Sequence, residues 1–235
     1  MNKKIKFSIF SVFVIVIVVG FTIHYGPFSK ENISQVKREQ LNQEKARSVK
    51  DSSDKKYKIV LDPGHGGKDP GSIGFSGSYE KDFTLSLAKR VYHLLEKEKQ
   101  IEVYMTRDKD TFLSTETRIR PKYANDLGAD LFVSIHANTF TDPSVSGTES
   151  YYYNRNSLSL AKIMQKHVVE ATGFKDRGVK KENYFVLKDT TMPATLIEIG
   201  YITNPEDEQA MLTSEFQQSV AESISEAIKE YLKID

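Results

Sequence analysis

Four residues, far apart along the chain, are equipped for metal and proton chemistry: His65, Glu80, His136 and Glu198. His65 sits in Asp62-Pro63-Gly64-His65-Gly66-Gly67, His136 opens His136-Ala137-Asn138, and Glu198 lies between Ile197 and Ile199. Two imidazoles and one carboxylate are a sufficient set for a catalytic zinc, with the fourth position left to water. The second carboxylate is then free to act as base. Plainer readings stand beside this one. His65 can be a turn residue, His136 a core histidine with its hydrogen bonds met, and Glu80 a helix-start carboxylate favoured by the macrodipole. Glu198 is harder to dismiss, because a carboxylate between isoleucines of a buried strand is costly unless paired, ligating or catalytic. The glycines around His65 could cradle a phosphate, but they lack the spacing of a nucleotide-binding fingerprint. His93 and His167 fall within amphipathic helical stretches and read as ordinary.

For these residues to meet, the chain must bring strand ends together. Strands are expected at Tyr57–Leu61, Ile101–Met105, Leu131–Ile135, Gly147–Tyr153, Tyr184–Leu187 and Thr195–Ile199. Helical periodicity marks Glu80–Glu98, Ser114–Leu127, Ser157–Thr172, Pro205–Leu212 and Ser214–Leu232. Gly128 and Gly173 are placed to stop two of these helices, and Ser214 with Gln217 reads as a capping box. Strands alternating with helices imply an α/β fold: a single domain, with a largely parallel, twisted sheet covered by helices on both faces. In such sheets, sites form beyond the carboxyl ends of the strands. That is where His65, His136 and Glu198 fall, with Glu80 at the start of the first helix.

Composition narrows the chemistry. The 235 residues include no cysteine, which removes disulfides, thiolate metal sites and thiol nucleophiles. The formal net charge of +1 conceals a split: residues 1–56 carry a balance of +6 and residues 57–235 one of −5. The mildly acidic body argues against nucleic acid as a partner. Lys3, Lys4 and Lys6 precede an uncharged, mostly apolar run from Phe7 to Ile23, which as a helix would span about 26 Å, close to the hydrocarbon thickness of a bilayer. The segment 1–28 is therefore expected to export the chain across the cytoplasmic membrane, as an anchor in preference to a cleaved signal. Residues 29–56 read as a polar linker, and residues 57–235 as the folded domain, expected to be monomeric.

Four stretches carry a resemblance. Ile59-Val60-Leu61-Asp62-Pro63-Gly64-His65-Gly66-Gly67, Tyr79-Glu80-Lys81-Asp82, Ser134-Ile135-His136-Ala137-Asn138 and Leu196-Ile197-Glu198-Ile199-Gly200-Tyr201-Ile202-Thr203-Asn204 resemble, in order and spacing, the motifs of the zinc-dependent N-acetylmuramoyl-L-alanine amidases. These are bacterial cell-wall hydrolases. The resemblance implies that His65, Glu80 and His136 bind one Zn2+ per chain, that Glu198 is the catalytic glutamate, and that peptidoglycan is the substrate. It points less specifically to Arg177 in Arg177-Gly178-Val179-Lys180 beside the substrate groove, and to Glu149 as either a support behind the site or a structural residue. Asn138, Tyr152 and Tyr184 are further candidates for the groove. Some family members carry a long insertion after the Ser-Ile-His-Ala-Asn motif that blocks the site. Only Ala137–Ser146 stands there in this chain, so an open site is expected. The same ligands would also serve a zinc peptidase acting on the stem peptide, and a wall-binding module without catalysis is the non-enzymatic alternative.

Overall fold

A computed structural model describes residues 56–234, together with Lys37, Arg38 and Leu41, which are helical. Lys56 begins one compact unit built on a six-stranded sheet. Its strands are β1 Tyr57–Pro63, β2 Ile101–Met105, β3 Leu131–Asn138, β4 Thr148–Tyr152, β5 Asp176–Lys181 and β6 Ala194–Tyr201. Its α-helices are α1 Glu80–Leu95, α2 Ile119–Leu127, α3 Leu158–Thr172, α4 Phe185–Lys188, α5 Pro205–Met211 and α6 Ser214–Leu232. The spatial order is β2-β1-β3-β6-β4-β5. The first four are parallel neighbours, β4 runs antiparallel to β6, and β5 pairs parallel with β4. The expected α/β class and mostly parallel sheet are both present.

Side-chain alternation along the strands divides the core. Ile59 and Leu61 of β1, Leu131, Val133 and Ile135 of β3, and Ile197 and Ile199 of β6 pack with α1, α3 and α6. Val60, Phe132 and Leu196 point the other way, where Ala124 of α2 and Val186 and Leu187 of α4 cover them. Strand β1 is joined to β2 on one side and pairs with β3 on the other, so the chain reverses its direction of winding between β1 and β3. A crevice at the carboxyl ends of these two strands follows from that reversal.

Three expectations need correction, and one strand was not anticipated. Tyr184–Leu187 is not a strand: Phe185–Lys188 forms one helical turn. A four-residue apolar run has no periodicity to separate the two forms. The helix expected from Ser114 begins at Ile119, because Arg118 adopts a left-handed backbone (φ 52°). Pro121 belongs in a first turn, where its missing N–H costs nothing, and this fits the later start. The cap of α6 is Thr213, whose side chain accepts from the Phe216 N–H, and not Ser214. Gln217 instead accepts from the Ser86 hydroxyl and donates to the Met211 carbonyl. Strand β5 was not foreseen. Among the described residues no helix is long and apolar enough to cross a membrane. The run Phe7–Ile23 lies outside them, as does nearly all of the linker.

Candidate metal centre

The strand ends deliver the four residues together. Ser134 and His136 continue the face of Phe132 on β3, and Glu198 continues that of Leu196 on β6; His136 and Glu198 are register partners on adjacent strands. Glu80 is the first residue of α1 and almost fully buried. His65 follows β1 in a left-handed conformation (φ 60°), a strained state for a residue with a side chain.

Donor atoms of His65, Glu80 and His136 all lie within 4.8 Å of one another. His65 Nε2 is 3.2 Å from Glu80 Oε2, and His136 Nδ1 is 2.9 Å from Glu80 Oε1. The Ser72 and Ala137 N–H groups donate to the same carboxylate. Burial pushes the Glu80 carboxyl up, but the two imidazoles outweigh it and hold the group well below its ordinary range. Close approach requires small neighbours. A Cβ on Gly64 would sit 2.3 Å from the His136 ring, and one on Gly71 would sit 2.7 Å from both Glu80 Oε2 and His65.

Several residues not singled out from the sequence hold this arrangement. Asp69 Oδ2 lies 3.0 Å from His65 Nδ1 and so fixes which ring nitrogen faces Glu80. Arg120 donates to Asp62, Pro63 O and His65 O, and Arg107 donates to Pro63 O and Gly64 O. Two buried guanidinium groups thereby clasp the backbone of the strained loop. Asp62, fully buried, also accepts from Thr106 and Ser134. Burial pushes its carboxyl up, but the Arg120 charge and these hydrogen bonds leave it below the usual range. The signal available in the sequence was the Asp in Asp62-Pro63-Gly64 at the end of a buried strand, together with arginines not far from predicted helix and strand ends.

Glu198 differs from Glu80 in its hydrogen bonding and in the direction of its net shift. Its Oε2 is shielded and has no hydrogen-bond partner. Burial, then the charges of Glu80 and Glu149, push its carboxyl well above the ordinary range. Glu149 is its register partner on β4. That carboxylate accepts from Tyr151, Tyr201, Arg177 and Lys180, and is held down at about 2 by these bonds in spite of its burial. Arg177 is thus committed to Glu149 and to the face of Tyr201.

Two cavities open from the centre, and both are lined by His65, Asp69, His136 and Glu198. Tyr184 lines the first and Asn138 the second; Arg177 and Tyr152 line neither. The segment after His136 forms turns and carries no helix. Two imidazoles, one carboxylate, a mutual spacing that one ion can bridge and an unpartnered carboxylate alongside fit a catalytic zinc site.

The sequence profile of the family described as N-acetylmuramoyl-L-alanine amidase matches residues 59–230. The chain belongs to this family. Membership carries the activity, hydrolysis of the amide bond between N-acetylmuramic acid and L-alanine in peptidoglycan. The catalytic domain of CwlV, an N-acetylmuramoyl-L-alanine amidase from Bacillus (Paenibacillus) polymyxa, is 42% identical and superposes with a TM-score of 0.74, over 76% of this chain and 99% of that one. The uncharacterized protein YqiI of Bacillus subtilis is 39% identical over 177 residues, 74% of this chain and 84% of its own. The probable cell wall amidase LytH of Staphylococcus aureus is 38% identical over 175 residues, 74% of this chain and 57% of LytH.

Proposed function

We propose that His65, Glu80 and His136 hold one zinc ion per chain and that Glu198 moves the proton of the hydrolytic water. When bound in such a set, zinc supplies Lewis acidity toward an amide carbonyl and lowers the pKa of a water to about 7. Glu198 accepts that water's proton as the oxygen attacks the lactyl carbonyl carbon. It returns the proton to the alanine nitrogen as the C–N bond breaks. The products are the lactyl acid on the glycan and a free peptide stem. The observation that carries this role is the unpartnered Oε2 of Glu198, a residue that lines both cavities beside His65 and His136 and has none of the hydrogen bonds that fix Glu80 and Glu149. Replacing Glu198 by Gln keeps the shape and removes the base. Turnover should fall about 10²–10⁴-fold while zinc content stays at one per chain. Near-normal turnover would contradict the assignment.

The same proposal places the enzyme outside the cytoplasmic membrane. The lysine-flanked apolar run at Phe7–Ile23 supports an anchor, with secretion the outcome if it is cleaved, and the polar composition of residues 29–56 supports a spacer reaching toward the wall. The domain, residues 57–235, acts there as a monomer on peptidoglycan, and nucleic acid has no part.

A further inference from the structure

The centre opens in two directions, and the two openings differ in chemistry. The first cavity, about 270 Å³, is the more enclosed. Beyond the residues of the centre it is lined by Leu113 and Thr115 of the loop before α2, by Tyr184, Phe185 and Val186 at α4, and by Leu196 of β6. Its one buried ion pair, Asp62–Arg120, is spent internally. The second cavity, about 330 Å³, is more open and offers Ser72, Asn138 and Thr139. The walls of the first are fixed in place. Tyr184 packs edge-on against Tyr151, whose hydroxyl is held by Glu149. Arg118 ties the opposite loop to α4 through Asp189 and the Phe185 ring.

We propose that the enclosed cleft receives the leaving side of the substrate, L-alanine and the stem residues behind it, and that the open ledge receives the muramoyl sugar. This rests on the amidase reading and adds the direction in which substrate lies. A glycan strand continues on both sides of every muramoyl unit, so it needs a surface open at both ends. A stem peptide leaves as a branch and can enter a cleft. Sugar hydroxyls pressed against Leu113, Phe185, Val186 and Leu196 would lose their water without replacement, whereas an alanine methyl gains from that contact. The ledge, with its hydroxyl and amide side chains, suits the sugar.

Two exposed threonines, one per opening, allow a test that leaves the core alone. The zinc-loaded full chain is prepared as wild type, Thr115→Trp and Thr139→Trp. Binding of the peptide L-Ala-D-Glu-L-Lys is measured by calorimetry, and turnover on a single-sugar muramoyl tripeptide and on glycan strands bearing the same stem. Thr115→Trp should weaken the peptide at least tenfold and raise KM on both substrates. Thr139→Trp should leave peptide affinity within twofold and lower kcat/KM on strands at least tenfold relative to the single sugar. The proposal is overturned if the wild type does not bind the peptide, if Thr115→Trp binds it unchanged, or if Thr139→Trp is the variant that loses it. Failure of the amidase reading looks different: the wild type would free no alanine amino groups from either substrate.

Discussion

The two faces of the sheet come from the same strands and do opposite work. On the face under α1, α3 and α6, the inward residues of β1, β3 and β6 are apolar toward the carboxyl ends: Ile59 and Leu61, Leu131, Val133 and Ile135, Ile197 and Ile199. On the other face they begin apolar, with Val60, Phe132 and Leu196, and turn polar: Asp62, Ser134, His136, Glu198 and, from β4, Glu149. One face supplies stability by removing hydrocarbon from water. The other carries buried charges, which contribute only when each has its partner. All but one of its carboxylates are satisfied, and the exception is Glu198.

The comparison can be broken most severely at Asp62. Its replacement by Asn strands the Arg120 guanidinium and should cost about 4 kcal/mol, read by denaturant unfolding. Leu87→Ala, on the apolar face, should cost about 3 kcal/mol through its cavity, yet leave kcat per folded molecule and zinc content unchanged. Loss of zinc in that variant would show that the faces are not separable. Glu149→Gln should cost about 2 kcal/mol, less than a wholly buried pair because Lys180 and Arg177 remain partly in water. Its carboxyl is depressed in the folded state, so its contribution is present above the ordinary carboxylate range and is lost as pH falls from there toward about 2. The variant's stability should vary less across that window, as measured by unfolding at a series of pH values. The smallest effect on stability, within about 0.5 kcal/mol, is expected for Asp69→Asn, which should nevertheless weaken zinc about 10- to 100-fold in competition with a chelator.

How much of this was legible depended on which physical signal each segment carried. Strands β1, β3 and β6 are buried on both faces and read as apolar runs, so all three were found, but each continues two or three residues past its apolar run, to Pro63, Asn138 and Tyr201, and His136 lies within β3 and not beyond its end. Strand β5, Asp-Arg-Gly-Val-Lys-Lys, is a half-exposed edge with no apolar alternation, and nothing local distinguishes it from a loop. Arg107 and Arg120 were not singled out from the sequence. Only the fold shows that their partners are backbone carbonyls more than forty residues away. Asp69 lay four residues from His65 in the same loop, but the left-handed turn at His65 that brings them together has no signature in a non-glycine residue.

The central claim is that the three donors hold a zinc ion that makes this chain cut at the muramoyl–alanine bond. It is tested most directly by digesting purified peptidoglycan and identifying the new amino termini, with the protein as prepared, stripped by a chelator, and stripped then resupplied with one equivalent of zinc. New alanine amino groups should appear, vanish and return. New amino groups on other stem residues, or alanine release that persists in demonstrably zinc-free protein, would contradict the account.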